Sequence, residues 1–535
     1  MRTVPVGTGA MVRLALRRDR IMLPVWIASL TAAVVGTASS FSGLYPTLAS
    51  RQQFASGIGA NPALRALYGP GFDLTSVGGL TAWRIGGTGA VLVALMSVLV
   101  VVRHTRAEEE AGRLELLGST VLGQRAALVA GLTVAVGADL VIAVLVGLGL
   151  TGLGLPAAGS FALGLSLAAT GVLFGTVAAV TAQLTNGPRA ANGMAGGVLG
   201  LSFLLRAVGD GVGPGGPLTW LTWLSPIGWI EHVRPFAGER WWVFGLVVAV
   251  AAVCAGVAAV LVTRRDLGAG LLPARPGPAH GSAGLAGPFA LAWRLHRGAL
   301  LGWSVGLAAM GSLAGSVADV VGDLVNDNPQ MAQVLERLGG QGGLADTYLA
   351  ATMGIVGLGA SGYAVQAMLR LRAEETASRA EPVLATPVGR TRWALSHLLF
   401  AGVGTAVLLG AVGLGAGLAH GLRTGEVGTQ VPRLVGAALA QLPAAWVLVG
   451  VAVALVGLAP RAVVGGWAVL AACVLVGQLG PVLRFDQWVM DLSPFTHLPR
   501  LPGGTVTIAP MVWLVAVAAV LVVAGLAGLC RRDIG

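Results

Sequence analysis

The segment RHTRAEEEAGRLELLGSTVLGQR, residues 103–125, is a charged island between two long apolar runs. A related segment, RLRAEETASRAEPVLATPVG, lies at residues 370–389. A shift of 266 positions aligns the two without a gap and pairs these identical residues: Arg106 with Arg372, Glu108 with Glu374, Glu109 with Glu375, Arg113 with Arg379, Glu115 with Glu381, Thr120 with Thr386 and Gly123 with Gly389. We call these segments the first and second islands. Their repetition predicts a chain made of two homologous halves.

The composition is that of an integral membrane protein. The 535 residues are 55% hydrophobic and only 11% charged, and the mean hydropathy is +0.80. Apolar runs of about 18 residues or more recur along the chain, each long enough to cross a hydrocarbon core of roughly 30 Å. Because a spanning segment must satisfy its backbone hydrogen bonds internally, and these runs lack the alternation of barrel strands, they should be helices. The predicted fold class is an all-α polytopic membrane protein.

The apolar runs predict twelve transmembrane helices, six in each half. They fall at about 21–43, 82–102, 125–150, 157–182, 191–208 and 241–263, and again at about 299–320, 347–369, 393–419, 434–458, 462–483 and 509–530. Residues 8–20 mix arginines with apolar positions at helical spacing, which predicts an interfacial helix. The expected organisation is a first half at 1–268, a Pro/Gly-rich linker at 269–288 and a second half at 289–535.

Further markers repeat outside the islands. Arg17 and Arg20 precede the first span as Arg294 and Arg297 precede the seventh. A Leu-Ser-Pro triplet precedes the last span of each half, at residues 224–226 and 492–494, and each half closes with Arg-Arg-Asp-Leu/Ile-Gly, at residues 264–268 and 531–535. An even number of spans per half makes the two halves parallel repeats.

The arginines predict the orientation. With the N-terminus inside, 23 of the 34 basic residues lie in cytoplasmic segments. This bias follows the positive-inside rule and favours a multi-pass plasma-membrane protein with both termini in the cytoplasm. No cleavable signal peptide is recognisable before the first span.

Several classes of function are disfavoured. All the basic residues are arginine, so the chain lacks the lysine that a phosphate-binding P-loop requires and should carry no ATP site. The net charge of +11 is explained by topology signals, so no nucleic-acid partner is expected. The three cysteines lack ligand spacing and the seven histidines are isolated, so we expect neither a metal nor a cofactor in this chain.

The acidic residues of the islands need an explanation of their own, because they do nothing for topology. Helical chemistry over residues 109–117 predicts a short amphipathic helix, in which Glu109 pairs with Arg113 at i, i+4 and Glu375 pairs with Arg379. Two equivalent acidic helices on one membrane face suit a two-fold symmetric partner. The plainer alternative is a pair of solvated loops that carry topology charges.

The architecture resembles the permeases of ABC-2 type ABC exporters, in which an Arg-x-Glu-Glu loop follows the second span of each half. The fused, lysine-free chain looks like the actinobacterial tetronasin-type exporters of polyketide antibiotics. The resemblance implies a non-enzymatic transport subunit that effluxes lipophilic compounds such as antibiotics or drugs. ATP and Mg²⁺ would belong to a separate ABC ATPase homodimer on the cytoplasmic face.

In that family the loop is a coupling helix, which here would span about 104–120 and 370–387. The residues that the resemblance assigns to ATPase coupling are Glu108, Glu109, Arg113, Glu115, Glu374, Glu375, Arg379 and Glu381. The two halves differ where Thr376 replaces Glu110, so unequal docking is conceivable.

The substrate path has weaker signals. Asp139 lies mid-span, where an ionisable side chain is expensive; it either serves transport or forms an internal structural hydrogen bond. Trp223 and Trp229, with Trp220, belong to an extracytoplasmic segment and either line the path or anchor the interface. Gln183, Arg206 and Gln478 are expected to form hydrogen bonds between helices.

Two other classes stay open. An ion-coupled secondary drug transporter can also have twelve spans in two parallel halves, although its loop after the second span is a tighter turn. A membrane subunit that relays motor motion to an envelope partner is the other alternative. Its large extracytoplasmic domains are not suggested by outer loops of about 30 to 40 residues near 44–81 and 209–240.

Overall fold

The chain forms two compact units, Met1–Gly277 and Pro278–Gly535. A computed structural model describes residues 6–58, 62–118, 122–272, 287–326, 344–483 and 486–533, and within these ranges the regular structure is entirely helical. Most of the predicted linker, 269–288, lies outside the described residues, as does Thr120.

In its described part, the first unit runs through thirteen helices. They are α1 (Thr8–Arg18), α2 (Met22–Leu44), α3 (Leu48–Ile58), α4 (Pro62–Tyr68), α5 (Val77–His104), α6 (Arg106–Glu110), α7 (Arg113–Gly118), α8 (Ala126–Gly152), α9 (Ala157–Leu184), α10 (Pro188–Gly211), α11 (Leu221–Leu224), α12 (Pro226–Glu231) and α13 (Trp242–Leu261).

Helices α5, α8 and α9 form the interior of the first unit. Val93 on α5 and Phe174 on α9 are fully buried in its main apolar cluster. Helices α8 and α9 approach closely at Gly164, where a Cβ would collide with the carbonyl oxygen of Ala143. Such contacts are typical of membrane helices, because small residues let two backbones pack closely without a water-driven hydrophobic effect.

The described part of the second unit contains nine α-helices and one 3₁₀ turn. They are α14 (Pro288–Asn326), α15 (Leu344–Thr376), α16 (Ala380–Leu384), α17 (Arg390–Thr424), α18 (Val427–Leu439), α19 (Leu442–Leu458), α20 (Gly465–Leu483), α21 (Gln487–Met490), the 3₁₀ turn Pro494–His497, and α22 (Ile508–Arg531).

Glycines set the helix contacts of the second unit as well. A Cβ at Gly311 or Gly315 of α14 would strike the backbone of α17, and one at Gly457 of α19 would strike Gly525 of α22. Helix α14 is continuous through the positions where the first unit breaks between α1 and α2. The separate helix predicted at 8–20 is therefore present in the first unit, as Thr8–Arg18, but its counterpart in the second unit is fused to the following span.

Eleven helical segments of the described residues, with α18 and α19 counted as one, are long and apolar enough to cross a membrane. They match eleven of the twelve predicted spans. The remaining prediction, 462–483, coincides with helix α20 (Gly465–Leu483), whose described side chains, Gly465–Gly477, are apolar. The predicted class, an all-α multi-pass membrane protein, is confirmed.

Candidate functional site

The first island is not the single helix that the sequence predicts. Helix α5 ends at His104, α6 covers Arg106–Glu110, and the chain then turns through Gly112, whose φ is +70°, into α7. A left-handed backbone of this kind is inexpensive only for glycine. The prediction of an unbroken helix over residues 109–117 is therefore wrong, because Gly112 interrupts it.

The second island breaks at the equivalent position. Helix α15 continues to Thr376, and Ser378, which aligns with Gly112, has a φ of +54° before α16 begins. A left-handed conformation costs a non-glycine residue roughly 1–2 kcal/mol. Both islands therefore keep the same turn, although only one of them has the residue best suited to it.

A glutamate in each island is held between two arginines. Glu109 pairs with Arg106 and, at 2.7 Å, with Nη2 of Arg265. Glu375 pairs with Arg372 at 2.8 Å and with Arg532 at 2.6 Å.

Arg265 and Arg532 are the second arginines of the Arg-Arg-Asp motifs that close the two halves, so each motif ties the end of its half to its island. The repetition of this motif was visible in the sequence, but its partner was not.

The preceding glutamates pair with the arginines after the turn. The Arg113 Nε lies 2.7 Å from Glu108, and the Arg379 Nε lies 2.8 Å from Glu374. The predicted i, i+4 pairs of Glu109 with Arg113 and Glu375 with Arg379 are wrong. The left-handed turn brings each arginine back onto the glutamate five positions before it.

Burial divides the eight predicted coupling residues into two groups. The side chains of Glu108, Glu109, Glu374 and Glu375 are at most 10% exposed and point into their own units. The exposed group consists of Arg113 and Arg379, whose side chains are about half exposed, together with Glu115 and Glu381. An external partner can touch the second group, whereas the first group forms the scaffold beneath it.

The first island has additional contacts to α1. Arg18 also pairs with Glu108. Asp19, which is fully buried, lies 3.0 Å from the Arg103 Nε and 2.5 Å from the His104 Nε2. These contacts fasten the end of the N-terminal helix to α6 and to the end of α5.

A different contact occupies the corresponding place in the second unit. Counted from the matching arginines before the spans, the counterpart of Asp19 is His296. Its Nε2 lies 3.0 Å from the Nδ1 of His397. The second unit therefore has two imidazoles where the first has a carboxylate with basic partners.

Asp139 is enclosed within the first unit. It accepts hydrogen bonds of 2.8 and 3.0 Å from the Ser97 hydroxyl and packs against Gly171, with no exposed surface. A carboxyl group joined to a single hydroxyl across two packed helices matches the structural alternative. A role for Asp139 in transport stays a prediction.

Trp223 and Trp229 lie together at the opposite end of the first unit. The Trp229 Nε1 donates to the carbonyl oxygen of Trp223 at 2.5 Å, and Trp223 stacks on Trp242 with ring centroids 6.1 Å apart. Trp223 is 40% exposed and Trp220 is 56% exposed. Exposed indoles at a helix end are typical of a membrane interface.

Arg206, expected to bond between helices, forms a buried ionic cluster near these tryptophans. Its Nη1 lies 2.6 Å from Glu231, and its Nη2 donates to the Ala66 carbonyl oxygen at 2.7 Å. Burial raises the pKa of Glu231 to about 8; the positive charge of Arg206 opposes the shift and nearby Asp210 adds to it. A small cavity of about 50 Å³ lies beside Glu231, lined by aromatic residues that include Tyr68 and Trp83.

Gln183 also makes the contact between segments expected of it. Its Oε1 accepts from the Arg265 Nε at 2.7 Å, so it extends the ion-pair cluster of the first island onto α9. The side chain of Gln478 lies outside the described residues.

The fold and the duplicated island define a class: an all-α polytopic membrane protein of two helical units, each tied by its closing arginine motif to a charged loop. A family model described as the C-terminal domain of the multidrug efflux system permease Rv1217c matches residues 285–529. The chain is also 44% identical over 529 residues to the multidrug efflux system permease protein Rv1217c of Mycobacterium tuberculosis (strain ATCC 25618 / H37Rv), covering 99% of this chain and 95% of that protein. The chain belongs to this family of efflux system permeases.

Proposed function

We propose that this chain is the permease subunit of an ATP-driven exporter of lipophilic compounds, with ATP hydrolysed by a separate ABC ATPase dimer. One observation carries the proposal. Both islands have the same left-handed turn, the same ion-paired glutamates beneath it and the same exposed arginine and glutamate above it. Two matching surfaces suit a partner that is itself two-fold symmetric.

The ion pairs suggest how force would travel. A partner bound to the exposed Arg113 and Glu115 pushes on α6 and α7, and the pair of Glu109 with Arg265 passes that motion to the end of α13. In the second unit Glu375 and Arg532 connect the island to the end of α22 in the same way. Each last span then moves with its island.

The substrate class rests on the relative and on the resemblance to ABC-2 permeases. The mycobacterial protein is named as a multidrug efflux system permease, and the tetronasin-type exporters share the Arg-x-Glu-Glu loop. The arginine distribution favours a cytoplasmic position for both islands and both termini, which is the side on which ATP is available. In this proposal the chain itself holds no nucleotide, and ATP and Mg²⁺ bind the partner.

The structure dictates which residues to change in the test. Reversal of Glu109 and Glu375 would disrupt buried ion pairs and the fold, so the informative variant is Glu115→Arg with Glu381→Arg, both exposed. The permease is co-purified with a candidate ABC ATPase, and retention of the ATPase is quantified. We expect the double variant to retain less than a tenth of the ATPase bound by the wild type.

Glu426→Arg is the matched control. Glu426 is an exposed glutamate outside the islands, at the start of α18, and its reversal should leave retention unchanged. Full retention and normal ATP-driven efflux in the island double variant would contradict docking at this surface. If no ATPase associates with the wild type, an ion-gradient transport assay becomes decisive.

A further inference from the structure

A cavity of about 290 Å³ lies beside the first island, inside the first unit. Its wall is largely apolar, with Met11 of α1, Leu114 and Leu122 of the island, and Val262 and Leu267 after α13. Its volume is near the lower end of small-molecule sites, which run from about 300 to 1,000 Å³. It is therefore large enough for the ring system of a small ligand.

The charged groups of the wall are already engaged. Both Glu109 oxygens are paired, one with Arg106 and the other with Arg265. Arg265 also donates its Nε to Gln183 and an Nη to the Ala269 carbonyl oxygen. Neither the carboxylate nor the guanidinium is free to bind a counter-charge, so the cavity suits an uncharged group.

The second unit has a large aromatic side chain at the position equivalent to a residue of the cavity wall. The shift of 266 residues that aligns the islands places Trp393 at the position of Ala127, which lines the cavity. Trp393 is only 3% exposed. It belongs to the same apolar cluster as Ala380, the counterpart of Leu114, and Leu529, which the alignment of the Arg-Arg-Asp motifs pairs with Val262. The alignment therefore puts a buried indole of the chain itself at the position where the first unit has an alanine on the cavity wall.

We propose that this cavity of the first unit binds the uncharged planar aromatic group of a lipophilic ligand, and that this ligand is a transported compound. The second part rests on the proposed function; the binding itself does not. A dry apolar cavity of about 150 Å³ binds benzene in another protein; this cavity is larger, open to its surroundings and lined mainly by apolar side chains, so it has room for a bicyclic ring. The site is asymmetric, because the second unit has Trp393 at the position of Ala127.

Indole is the probe, because it is the ring system of Trp393, the residue that aligns with Ala127. Radiolabelled indole is equilibrated by dialysis with the full-length chain in detergent, and partition into protein-free micelles is subtracted. The wild type should bind one indole per chain at saturation. Ala127→Trp should bind none, and Trp393→Ala should bind two, because it opens the second space.

Controls separate filling of the cavity from general damage. Leu148→Trp adds an indole at an exposed position of the same helix and should still bind one indole. Ala127→Phe is a second filling variant in case Ala127→Trp does not fold, and each protein must elute as a single monodisperse peak. Unchanged stoichiometry in a folded Ala127→Trp or Ala127→Phe variant overturns the proposal.

Native mass spectrometry tests for a different occupant. A phospholipid that co-purifies with the wild type, is lost in Ala127→Trp and is not displaced by indole would overturn the proposal in favour of a structural lipid. Absence of such a lipid, together with binding of one indole, supports it.

A transport measurement joins the site to the proposed function. ATP-driven efflux of Nile red, an uncharged planar dye, should fall at least tenfold in Ala127→Trp while the ATPase remains bound. Normal efflux in a variant that no longer binds indole would overturn the assignment of the ligand as a transported compound. If the wild type binds indole but never an ATPase, the proposed function fails and the binding site stands.

Discussion

The two islands have the same ion pairs, but the arginines of the first island are less exposed to solvent than those of the second. In the first, the side chains that flank Glu109 are sealed: Arg106 is 1% exposed and Arg265 is 5% exposed. In the second, the arginines around Glu375 are partly solvated, with Arg372 26% exposed and Arg532 17% exposed. We call each of these glutamates with its two arginines a joint. The joint is closed to solvent in the first unit and more open in the second.

The surroundings explain this difference. The first unit breaks its N-terminal segment at Asp19, and the end of α1 is tied to the island through Arg18 and Glu108, while Arg106 also donates to the carbonyl oxygens of Gly268 and Ala269. In the second unit α14 is one continuous helix. Since water weakens ion pairs at the surface and leaves buried ones strong, the first joint should be the stiffer of the two.

The largest expected effect comes from removing the central glutamate of the closed joint. Glu109→Leu leaves two buried guanidinium groups without their partner, which should lower the free energy of unfolding by about 3–5 kcal/mol. Glu375→Leu should cost about 1–3 kcal/mol, because water can reach Arg372 and Arg532. Denaturant titration of both purified variants measures the difference. Equal losses would show that burial does not distinguish the joints.

Because of the cluster around Glu231, the free energy of unfolding should change by about 2–4 kcal/mol with pH. Glu231 has no counterpart in the second unit: the alignment of the two Leu-Ser-Pro triplets places Pro499 at its position. The pKa of Glu231 rises from 4.5 to about 8 through burial. A raised carboxyl pKa stabilises the fold fully below pH 4.5, and this contribution is lost as the pH rises through 8.

The melting temperature of the wild type should therefore fall between pH 5 and pH 8.5. Glu231→Gln, which keeps the group neutral, should show a flatter profile over that range. Parallel profiles for the two proteins would mean that Glu231 is already ionised in the folded state.

A smaller loss, about 1–3 kcal/mol, is expected for Asp139→Thr. This change installs the residue of the second unit, where the Thr405 hydroxyl donates to its own helix at the Ala401 carbonyl oxygen, 2.6 Å away. The variant loses the hydrogen bond from Ser97 but should keep efflux near the wild-type level. Lost efflux at unchanged stability would instead give Asp139 a direct part in transport.

The smallest effect on stability belongs to the exposed arginines. Arg113→Ala and Arg379→Ala should each change the free energy of unfolding by less than about 1 kcal/mol, because both guanidinium groups are half solvated. If the proposed ATPase docks on the islands, its retention should nevertheless fall in both variants. If one of these variants binds the ATPase normally, the island that it alters is not part of the docking surface.

Hydropathy and repetition were sufficient to predict the fold class and nearly all the spans, because a bilayer imposes length and apolarity on each helix. The turn at Ser378 could not be predicted, since serine rarely adopts a left-handed backbone and its aligned glycine only hints at it. The ion pair between Glu109 and Arg265 could not be predicted either. Arg265 lies 156 residues away, and the sequence showed that its motif repeats without showing what it touches.

Asp19 gives the N-terminal helix a mechanical role. Helix α1 exposes Leu14 and Leu16, the kind of surface that enters the headgroup region of a lipid leaflet, while Asp19 at its end holds Arg103 and His104. We expect a leaflet that thickens or stiffens to displace α1 and so to act on the first island, because the corresponding helix of the second unit is continuous with its span. The transporter should therefore sense its lipid environment through one unit, and in the proposed ATP-driven exporter turnover should vary with acyl-chain length even at saturating ATP.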